Sequence, residues 1–213
     1  MPREATDLAV QIRKKTLELL LEKEPEEISM RDIAKACGVT ATSLYYYYKD
    51  KDTLFIEIKL DCVERMNAFI SSQSTKMALK HNKLVKKSDP LIEIRTGLEA
   101  FRDWAFVNPR IALLVMGRLK VDTDADPEKM NKYYQSTFLG KAALDKAVKE
   151  GIAKSEDTLL DVNLCIAALW GAIEMVLLDR TIPQYCTKRG AIDFTNEMID
   201  LLMTSLTRKK LRK

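Results

Sequence analysis

The chain has 213 residues with 46% hydrophobic and 31% charged side chains, ordinary values for a soluble protein of one or two domains. Its seven Gly and six Pro are too few for a loop-rich β architecture, and long segments with helical periodicity predict an all-α fold. A formal net charge of +4 does not by itself indicate a nucleic-acid partner. No apolar run approaches the roughly 20 residues of a membrane span, and no hydrophobic signal region opens the chain. We therefore expect a cytoplasmic protein without a membrane partner.

Metal, cofactor and enzyme chemistry have little support in the sequence. The cysteines are widely separated without a CxxC pair, and His81 is the single histidine, so a zinc site lacks clustered ligands. We expect no metal and no cofactor. Without a Gly-rich phosphate loop or a GxSxG motif, we also expect no enzyme activity. A redox role for Cys37, beside a predicted turn, is an alternative to reduced thiols at Cys37, Cys62, Cys165 and Cys186.

The first predicted helix runs from Thr6 or Asp7 through Lys23. We expect Pro25 to end it, because proline disfavours the α conformation at the preceding residue. The inward face of this helix is predicted to carry Ile12, Thr16, Leu17 and Leu20.

The segment from Ser29 to Leu54 predicts a helix-turn-helix. Ser29 is a good N-cap residue, and Asp32 follows at the spacing of a capping box. Gly38 ends this short helix, because glycine tolerates the left-handed conformation of a sharp turn. Thr40 then caps a second short helix that contains four consecutive tyrosines. This order is typical of proteins that place the second helix in the major groove of DNA.

The second short helix has two faces. Leu44 and Tyr48 lie four residues apart and can both face inward as core. The outward side chains are small, hydroxyl-bearing or aromatic, which suits contact with base edges and phosphates. They are Ala41, Thr42, Ser43 and Tyr47.

The stretch LYYYYKDKDTL, from Leu44 to Leu54, closely resembles the pattern of the tetracycline-repressor (TetR) family. In that pattern a Leu-Tyr pair precedes further aromatic residues, a Lys and an acidic helix start. The residues of Ser29–Val39 also match it. Two residues depart from it, because Thr42 stands where many members have Gly, and Tyr47 stands where His is usual. The resemblance covers about the first quarter of the chain.

The resemblance implies a three-helix DNA-binding domain at residues 1–52 and a helical ligand-binding and dimerisation domain at residues 53–213. It also implies that Tyr45, Tyr47 and Lys51 bind phosphates of a double-stranded DNA operator. For Tyr46 both contact and packing stay open. The DNA-binding candidates are Ser29, Arg31, Thr40, Ala41, Thr42, Ser43, Tyr45, Tyr46, Tyr47 and Lys51.

The remaining helices are predicted from apolar periodicity and cap residues, which gives about nine helices in all. A fourth helix begins near Lys51 or Asp52. We interpret the lysine-rich segment from Ser71 to Ser88 as its tail and a flexible connection, with contact to DNA phosphates as the alternative. Later helices are predicted at 90–107, at roughly 111–119, at 126–151, from 156 or 157 to 178, and at about 191–206.

The last two predicted helices are apolar on more than one side. Such stripes usually form intramolecular core. The resemblance implies instead that these two helices pair with their copies in a homodimer, so that two copies of the DNA-binding helix dock on successive major grooves. The small residues are Ala167, Ala168, Gly171 and Ala172, and the companion apolar stripe is Val162, Ile166, Leu169, Ile173 and Val176 or Leu177.

The middle helices are candidates for a small-molecule site, since apolar and aromatic walls with a few polar groups suit such ligands. Plain core is the alternative for each residue. The candidate ligand-binding residues are Phe101, Trp104, Met116, Tyr134, Phe138, Trp170 and Met175. Arg102, Arg118 and Asn163 are equivalent candidates for a polar anchor.

The sequence thus predicts a DNA-binding transcriptional regulator, in the leading hypothesis a dimeric repressor that an unidentified small molecule releases from a palindromic operator. An activator or a corepressor-dependent regulator is the alternative within the DNA-binding class. A helical interaction module without DNA binding is the alternative outside it.

Overall fold

The structure, a computed structural model, describes residues 3–85, 89–119 and 127–207, and in 3–6 and 81–85 it describes the backbone alone. Within these ranges the chain forms ten α-helices and no β-strand, which confirms the all-α prediction. The helices are α1 (Arg3–Leu20), α2 (Met30–Cys37), α3 (Ala41–Tyr47), α4 (Lys51–Val85), α5 (Pro90–Val107), α6 (Pro109–Leu113), α7 (Pro127–Tyr133), α8 (Gln135–Lys149), α9 (Thr158–Leu177) and α10 (Lys188–Thr207). Short 3-10 turns lie at Pro25–Glu27 and Pro183–Tyr185, and a π-helical turn lies at Leu114–Arg118.

The chain packs as two compact units. The first unit contains Met1–Glu64 and Arg110–Tyr133, and the second contains Arg65–Pro109 and Tyr134–Lys213. The first unit therefore combines the helix-turn-helix with α6, the π turn and α7, which come much later in the sequence. The domain division expected at residue 52 stays a prediction.

In the first unit, α1 ends at Leu20, three residues before the expected end at Lys23. The chain then turns, and Pro25 opens a 3-10 turn instead of directly following the helix. The bend between α1 and α2 is therefore longer than it would be if the helix continued to Lys23 and ended at Pro25. Fully buried apolar side chains fill this unit, among them Ile12, Leu20, Ile28, Ile33, Leu44, Leu54, Ile58 and Leu114.

Helix α4 begins at Lys51, as predicted, and continues through Val85, so residues 71–85 form the expected helical tail. None of the side chains of 71–80 is buried, which explains why their sequence lacks an apolar stripe. Residues 86–88, the end of the expected connection, lie outside the described residues.

Two helices that were expected to be continuous are interrupted. The segment expected at 111–119 is a short α-helix, α6, followed by the π turn. The segment expected at 126–151 is divided at Tyr134 into α7 and α8, and its expected first residue, Asp126, lies outside the described residues. Apolar periodicity does not reveal such local breaks, because the inward face continues across them.

In the second unit α5 packs against α8, α9 and α10. Asp157 caps α9 as expected, with its carboxylate accepting the N–H of Leu160. Helix α9 corrects the expectation about apolar runs, since its 20 residues include a window of mean hydropathy 1.7, long and apolar enough to cross a membrane. Only 39% of that window is buried, so α9 has a core face and an exposed apolar face.

Candidate nucleic-acid interface

The helix-turn-helix is built by caps that the sequence predicts. The hydroxyl of Ser29 accepts the N–H of Asp32 at 3.2 Å, and the Asp32 carboxylate accepts the N–H of Ser29 at 2.9 Å, which completes the capping box. The hydrogen bond from the Ser29 side chain lowers the pKa of Asp32. At the other end of α2, Gly38 has a φ of 67°, the left-handed conformation expected of it.

The outward face of helix α3 matches the predicted one only in part, because Thr42 is exposed whereas Ala41, Ser43 and Tyr47 are half-buried. Leu44 and Tyr48 are buried in the first unit, so both are core. Thr42 is exposed on the opposite face, and Tyr46 is 83% exposed, more than any other large hydrophobic side chain described in the unit. Tyr45 is exposed as well. The exposed rings and hydroxyls of Tyr45 and Tyr46 thus form a surface that a binding partner can contact.

The two hydroxyls at the start of α3 are already engaged with each other. Thr40 Oγ1 accepts the N–H of Ser43 at 3.1 Å and lies 2.8 Å from Ser43 Oγ. The Thr42 hydroxyl makes no hydrogen bond within the described residues. Of the hydroxyls predicted to meet DNA bases, that of Thr42 is therefore the one available without breaking a cap. Ala41 is half-buried beside it.

The tyrosines divide by role. Tyr46 and Tyr47 pack edge to face with ring centroids 5.3 Å apart, and Tyr47 is half-buried. Tyr47 therefore supports Tyr46 while keeping part of its own ring exposed. Arg31, at the start of α2, is exposed too.

Lys51 lies at the first position of α4, and its ammonium faces the bend that precedes α2. Its Nζ donates to the backbone oxygens of Pro25 at 3.1 Å and Ile28 at 3.2 Å. An ammonium has three N–H donors, so one is left for a phosphate. Lys49, which we did not single out from the sequence, is exposed and forms no ion pair within the described residues. Its position beside the tyrosine run was the signal that could have identified it.

Comparison with known proteins agrees with this geometry. Residues 12–58 match the family model of bacterial regulatory proteins of the tetR family, from α1 into α4. These residues are the N-terminal region of a TetR-family regulator. It carries the helix-turn-helix by which these transcription regulators bind DNA. No curated protein sequence matches the chain.

Solved structures extend the similarity of fold to nearly the whole TetR-family chain. A tetR family transcription regulator from Shewanella sp. PV-4 has a TM-score of 0.72 at 13% identity, over 95% of this chain and 99% of that one. The TetR family regulator PfmR from Thermus thermophilus has a TM-score of 0.62 at 19% identity, over 92% and 99%. The fatty acid degradation regulator FadR of Bacillus halodurans has a TM-score of 0.65 at 18% identity, over 92% and 98%. The TM-scores and coverage show a shared fold.

Cys37 does not have the surroundings of a reactive thiol in this TetR-family protein. It ends α2 and is half-buried. Burial raises the pKa of its thiol, which disfavours the thiolate that redox chemistry needs. Burial likewise raises the pKa of Cys165 to about 11. Within the described residues no group of His, Cys, Asp or Glu is arranged to hold a metal ion.

The candidate ligand residues of the TetR-family chain are only partly brought together. Phe101 and Trp104 are buried on α5, and the Phe101 ring lies 6.4 Å from that of Trp170 on α9. Tyr134 and Phe138 form a second pair at 6.4 Å. Met116, by contrast, belongs to the first unit.

Phe138 and Met175 are 42% and 43% exposed, so they are less enclosed than Phe101 and Trp104, and their role as lining residues stays a prediction. The periodicity that placed them on apolar faces did not distinguish a core face from an exposed one. Met175 lies on the exposed face of α9.

The candidate polar anchors are all occupied. Arg102 is buried and donates to Asp103 at 2.8 Å and 2.7 Å and to the Asn196 side chain. Asn163 is exposed and donates to the Leu159 backbone oxygen at 2.8 Å. Arg118 lies in the first unit and pairs there with Glu24.

A buried polar pair that sequence reasoning missed lies in the second unit. The Asn67 side-chain oxygen accepts the Ser136 hydroxyl at 2.6 Å, and Asn67 is buried on α4. No motif marks either residue, because a single amide inside an apolar stripe has no distinctive spacing.

Proposed function

We propose that this TetR-family regulator is a dimeric repressor, which a small molecule releases from a palindromic DNA operator. The observation that carries the proposal is the exposed outer face of α3, held on a helix-turn-helix whose caps and core are complete. Thr42 and Ala41 would meet base edges in the major groove, with the Thr42 methyl and hydroxyl available for readout. Tyr45, Tyr46 and Tyr47 would bond or pack against the phosphate backbone.

Basic residues around α3 support phosphate contact. Arg31 and Lys49 are exposed on either side of α3 in the sequence, and Lys51 retains one N–H beyond its two backbone bonds. Ser29 lies at the N-terminus of α2, where backbone N–H groups favour an anion. The remaining candidates, Thr40 and Ser43, would act through the cap that orients α3.

Dimerisation is supported by the exposed face of α9. Leu160 and Leu164 are four residues apart and exposed, and Gly171 and Met175 continue the same face at helical spacing. A Cβ added at Gly171 would meet no atom within 4 Å, so the surface around it is open to a neighbouring helix. Leu201 on α10 is also exposed. A soluble protein is expected to cover such a surface, and a second copy paired through α9 and α10 does so.

The dimer is tested with a matched pair of leucines. Leu164 on α9 and Leu139 on α8 are both 55% exposed. Leu164→Glu places a charge in the proposed interface and should give a monomer in sedimentation analysis, whereas Leu139→Glu should remain dimeric. A monomeric wild-type protein, or a dimer that both variants retain, would remove α9 from the interface.

The small-molecule site is proposed in the second unit, against the aromatic side chains of Phe101, Trp104 and Trp170. Similar folds have been solved for a flavonoid-responsive regulator, FrrA, at a TM-score of 0.59, and for the fatty acid degradation regulator FadR. Ligand binding would favour a dimer geometry in which the two α3 helices no longer match successive grooves. Tryptophan fluorescence of the wild type and of Trp170→Phe, titrated with a small-molecule panel, tests this site.

The whole proposal is tested by selecting duplexes from a random pool with the purified protein, and by gel shift on the DNA upstream of its own gene. We expect a palindromic site whose affinity falls with increasing salt. A dimer that retains no duplex at any salt concentration would instead favour the interaction module without DNA binding. Reporter expression that rises when the protein is present would make it an activator, the other alternative, and rescue of binding by added ligand would make it corepressor-dependent.

The proposed location is the cytoplasm, where an operator is accessible. Regulators of this family are typically not enzymes, and we propose no enzyme activity for this protein.

A further inference from the structure

The first unit contains a π segment, Leu114–Leu119, that the proposed DNA contacts do not use. The backbone N–H of Leu119 donates a hydrogen bond of 3.0 Å to the backbone oxygen of Leu114, five residues earlier in the chain. Leu114 and Val115 are fully buried. Single π turns are rare within helices and frequently lie at functional sites. The contacts of the two residues that end this segment indicate what it does.

Arg118 binds the bend between α1 and α2 at two points. Its Nη1 lies 2.6 Å from the Glu24 carboxylate, and its Nη2 donates to the backbone oxygen of Leu20 at 3.3 Å. Leu20 is the last residue of α1, and Glu24 immediately precedes the 3-10 turn that leads to α2. One guanidinium thus holds the start and the middle of the bend.

Lys59 holds the other end of the π segment against α4. It is 4% exposed, and its ammonium donates to the backbone oxygen of Leu119 and lies 5.5 Å from the centre of the Tyr133 ring. Within the described residues it forms no ion pair with a carboxylate. Burying an ammonium on such partners costs free energy.

These contacts close a loop with Lys51. Lys51 joins α4 to the bend through the oxygens of Pro25 and Ile28, and Lys59 joins α4 to the π segment. Arg118 then joins the π segment back to the bend. The bend is therefore held from two sides, and it fixes where α2 begins and hence how α3 is presented.

We propose that Arg118 and Lys59 are positioning residues for DNA binding, which act through the π segment to hold the bend from Leu20 to Ile28 and so orient α2 and α3. The proposal rests on the proposed DNA-binding function. Neither side chain needs to contact DNA. Because the Arg118–Glu24 pair is partly solvent-exposed, with 31% and 58% of the two side chains accessible, it contributes little to global stability, and its effect should appear in operator affinity.

The experiment measures operator affinity, its salt dependence and the melting temperature for Arg118→Gln and Lys59→Met. We expect each variant to bind the selected operator roughly 5- to 20-fold more weakly, the size of a typical coupling between sites. The slope of affinity against salt should stay that of the wild type, because no phosphate contact is lost. Melting temperatures should stay within about 3 °C of wild type, since loss of the buried charge offsets loss of the Leu119 bond.

A double-mutant cycle isolates the bend contact. Glu24→Gln should weaken binding less than Arg118→Gln, and the double variant should equal Arg118→Gln alone, because both remove one interaction. Arg110→Gln, an exposed arginine of α6 without an ion pair in the described residues, is the matched control and should bind as wild type.

The outcomes separate the inference from the function on which it rests. If the wild type selects no duplex, the proposed function fails. If the wild type binds and both variants bind equally well, only the inference fails. A loss of affinity that matches the Arg110→Gln control, changes the salt slope, or accompanies a melting temperature lowered by more than about 3 °C in both variants also overturns it.

Discussion

Arg13 on α1 donates a hydrogen bond to the Tyr48 hydroxyl at 3.0 Å, which joins the first helix to the residue that ends α3. The same guanidinium donates from Nε to Asp61 on α4 at 2.7 Å. Burial raises the pKa of the Tyr48 phenol. One arginine thus connects α1 to the C-terminal end of α3 and to α4, and Tyr48 is a structural member of the tyrosine run.

Tyr48→Phe should lower the free energy of unfolding by about 1 kcal/mol, because the variant loses the bond to Arg13 and keeps the buried ring. Urea denaturation measures the change. Tyr46→Phe is the control, since Tyr46 is exposed and its substitution should leave stability unchanged. Equal stability of the two variants would show that the Arg13 bond contributes nothing.

Thr40 and Thr42 are exposed threonines two residues apart with different expected roles. Thr40→Ala removes the N-cap of α3 and should cost about 1 kcal/mol of stability. Thr42→Ala should leave stability within about 0.5 kcal/mol of wild type but change the preferred base in the selected operator, because the Thr42 hydroxyl, unlike those of Thr40 and Ser43, makes no hydrogen bond within the described residues. Selection with Thr42→Ala that returns the wild-type operator would exclude Thr42 from base readout.

Lys49 and Lys51 are also expected to differ in role, because one affects only DNA binding and the other affects stability as well. Lys49→Ala is expected to weaken operator binding, to reduce the salt slope by about 0.9 and to keep wild-type stability, as for an exposed phosphate contact. Lys51→Ala should also destabilise the fold, because the oxygens of Pro25 and Ile28 lose their donor. Lys146→Ala on α8 is the control for charge alone. An unchanged salt slope for Lys49→Ala would exclude that lysine from the interface.

Lys59 predicts a pH dependence of stability. Burial lowers its pKa from 10.5 to about 8, so the folded protein releases this proton at a pH where the unfolded chain still holds it. The free-energy cost of burying the charged ammonium is present in full below about pH 8. It decreases as the pH rises toward 10.5, the pKa in the unfolded chain, so Lys59 makes the free energy of unfolding increase with pH across that window. Between about pH 7 and about pH 9.5 the wild type should gain about 2 kcal/mol relative to Lys59→Met, measured by urea denaturation. A constant difference between the two proteins would contradict it.

Local features of the DNA-binding region could be predicted because each depends on a few adjacent residues. The capping box at Ser29, the left-handed Gly38 and the Thr40 cap are fixed by short-range hydrogen bonding and backbone sterics, and all three are present. The burial of Leu44 and Tyr48 follows from helical spacing in the same way.

The ligand region was less predictable, since periodicity finds apolar faces but does not say what covers them. Met175 and Phe101 both lie on apolar stripes, yet Met175 is exposed and Phe101 is buried. Arg102 and Arg118 could each be a ligand anchor from sequence, and only their partners, Asn196 and Glu24, show that they are occupied.

The sequence by itself determined the all-α fold and the helix-turn-helix, because caps, turn glycines and helical periodicity act within a few residues, and its Leu44–Leu54 motif carried the family resemblance. Only the tertiary structure decided that the π segment packs in the same unit as the helix-turn-helix, where Arg118 reaches Glu24 across 94 positions and Lys59 reaches Leu119 across 60. No sequence spacing marks such pairs, because the free energy that brings them together comes from burial of the whole unit.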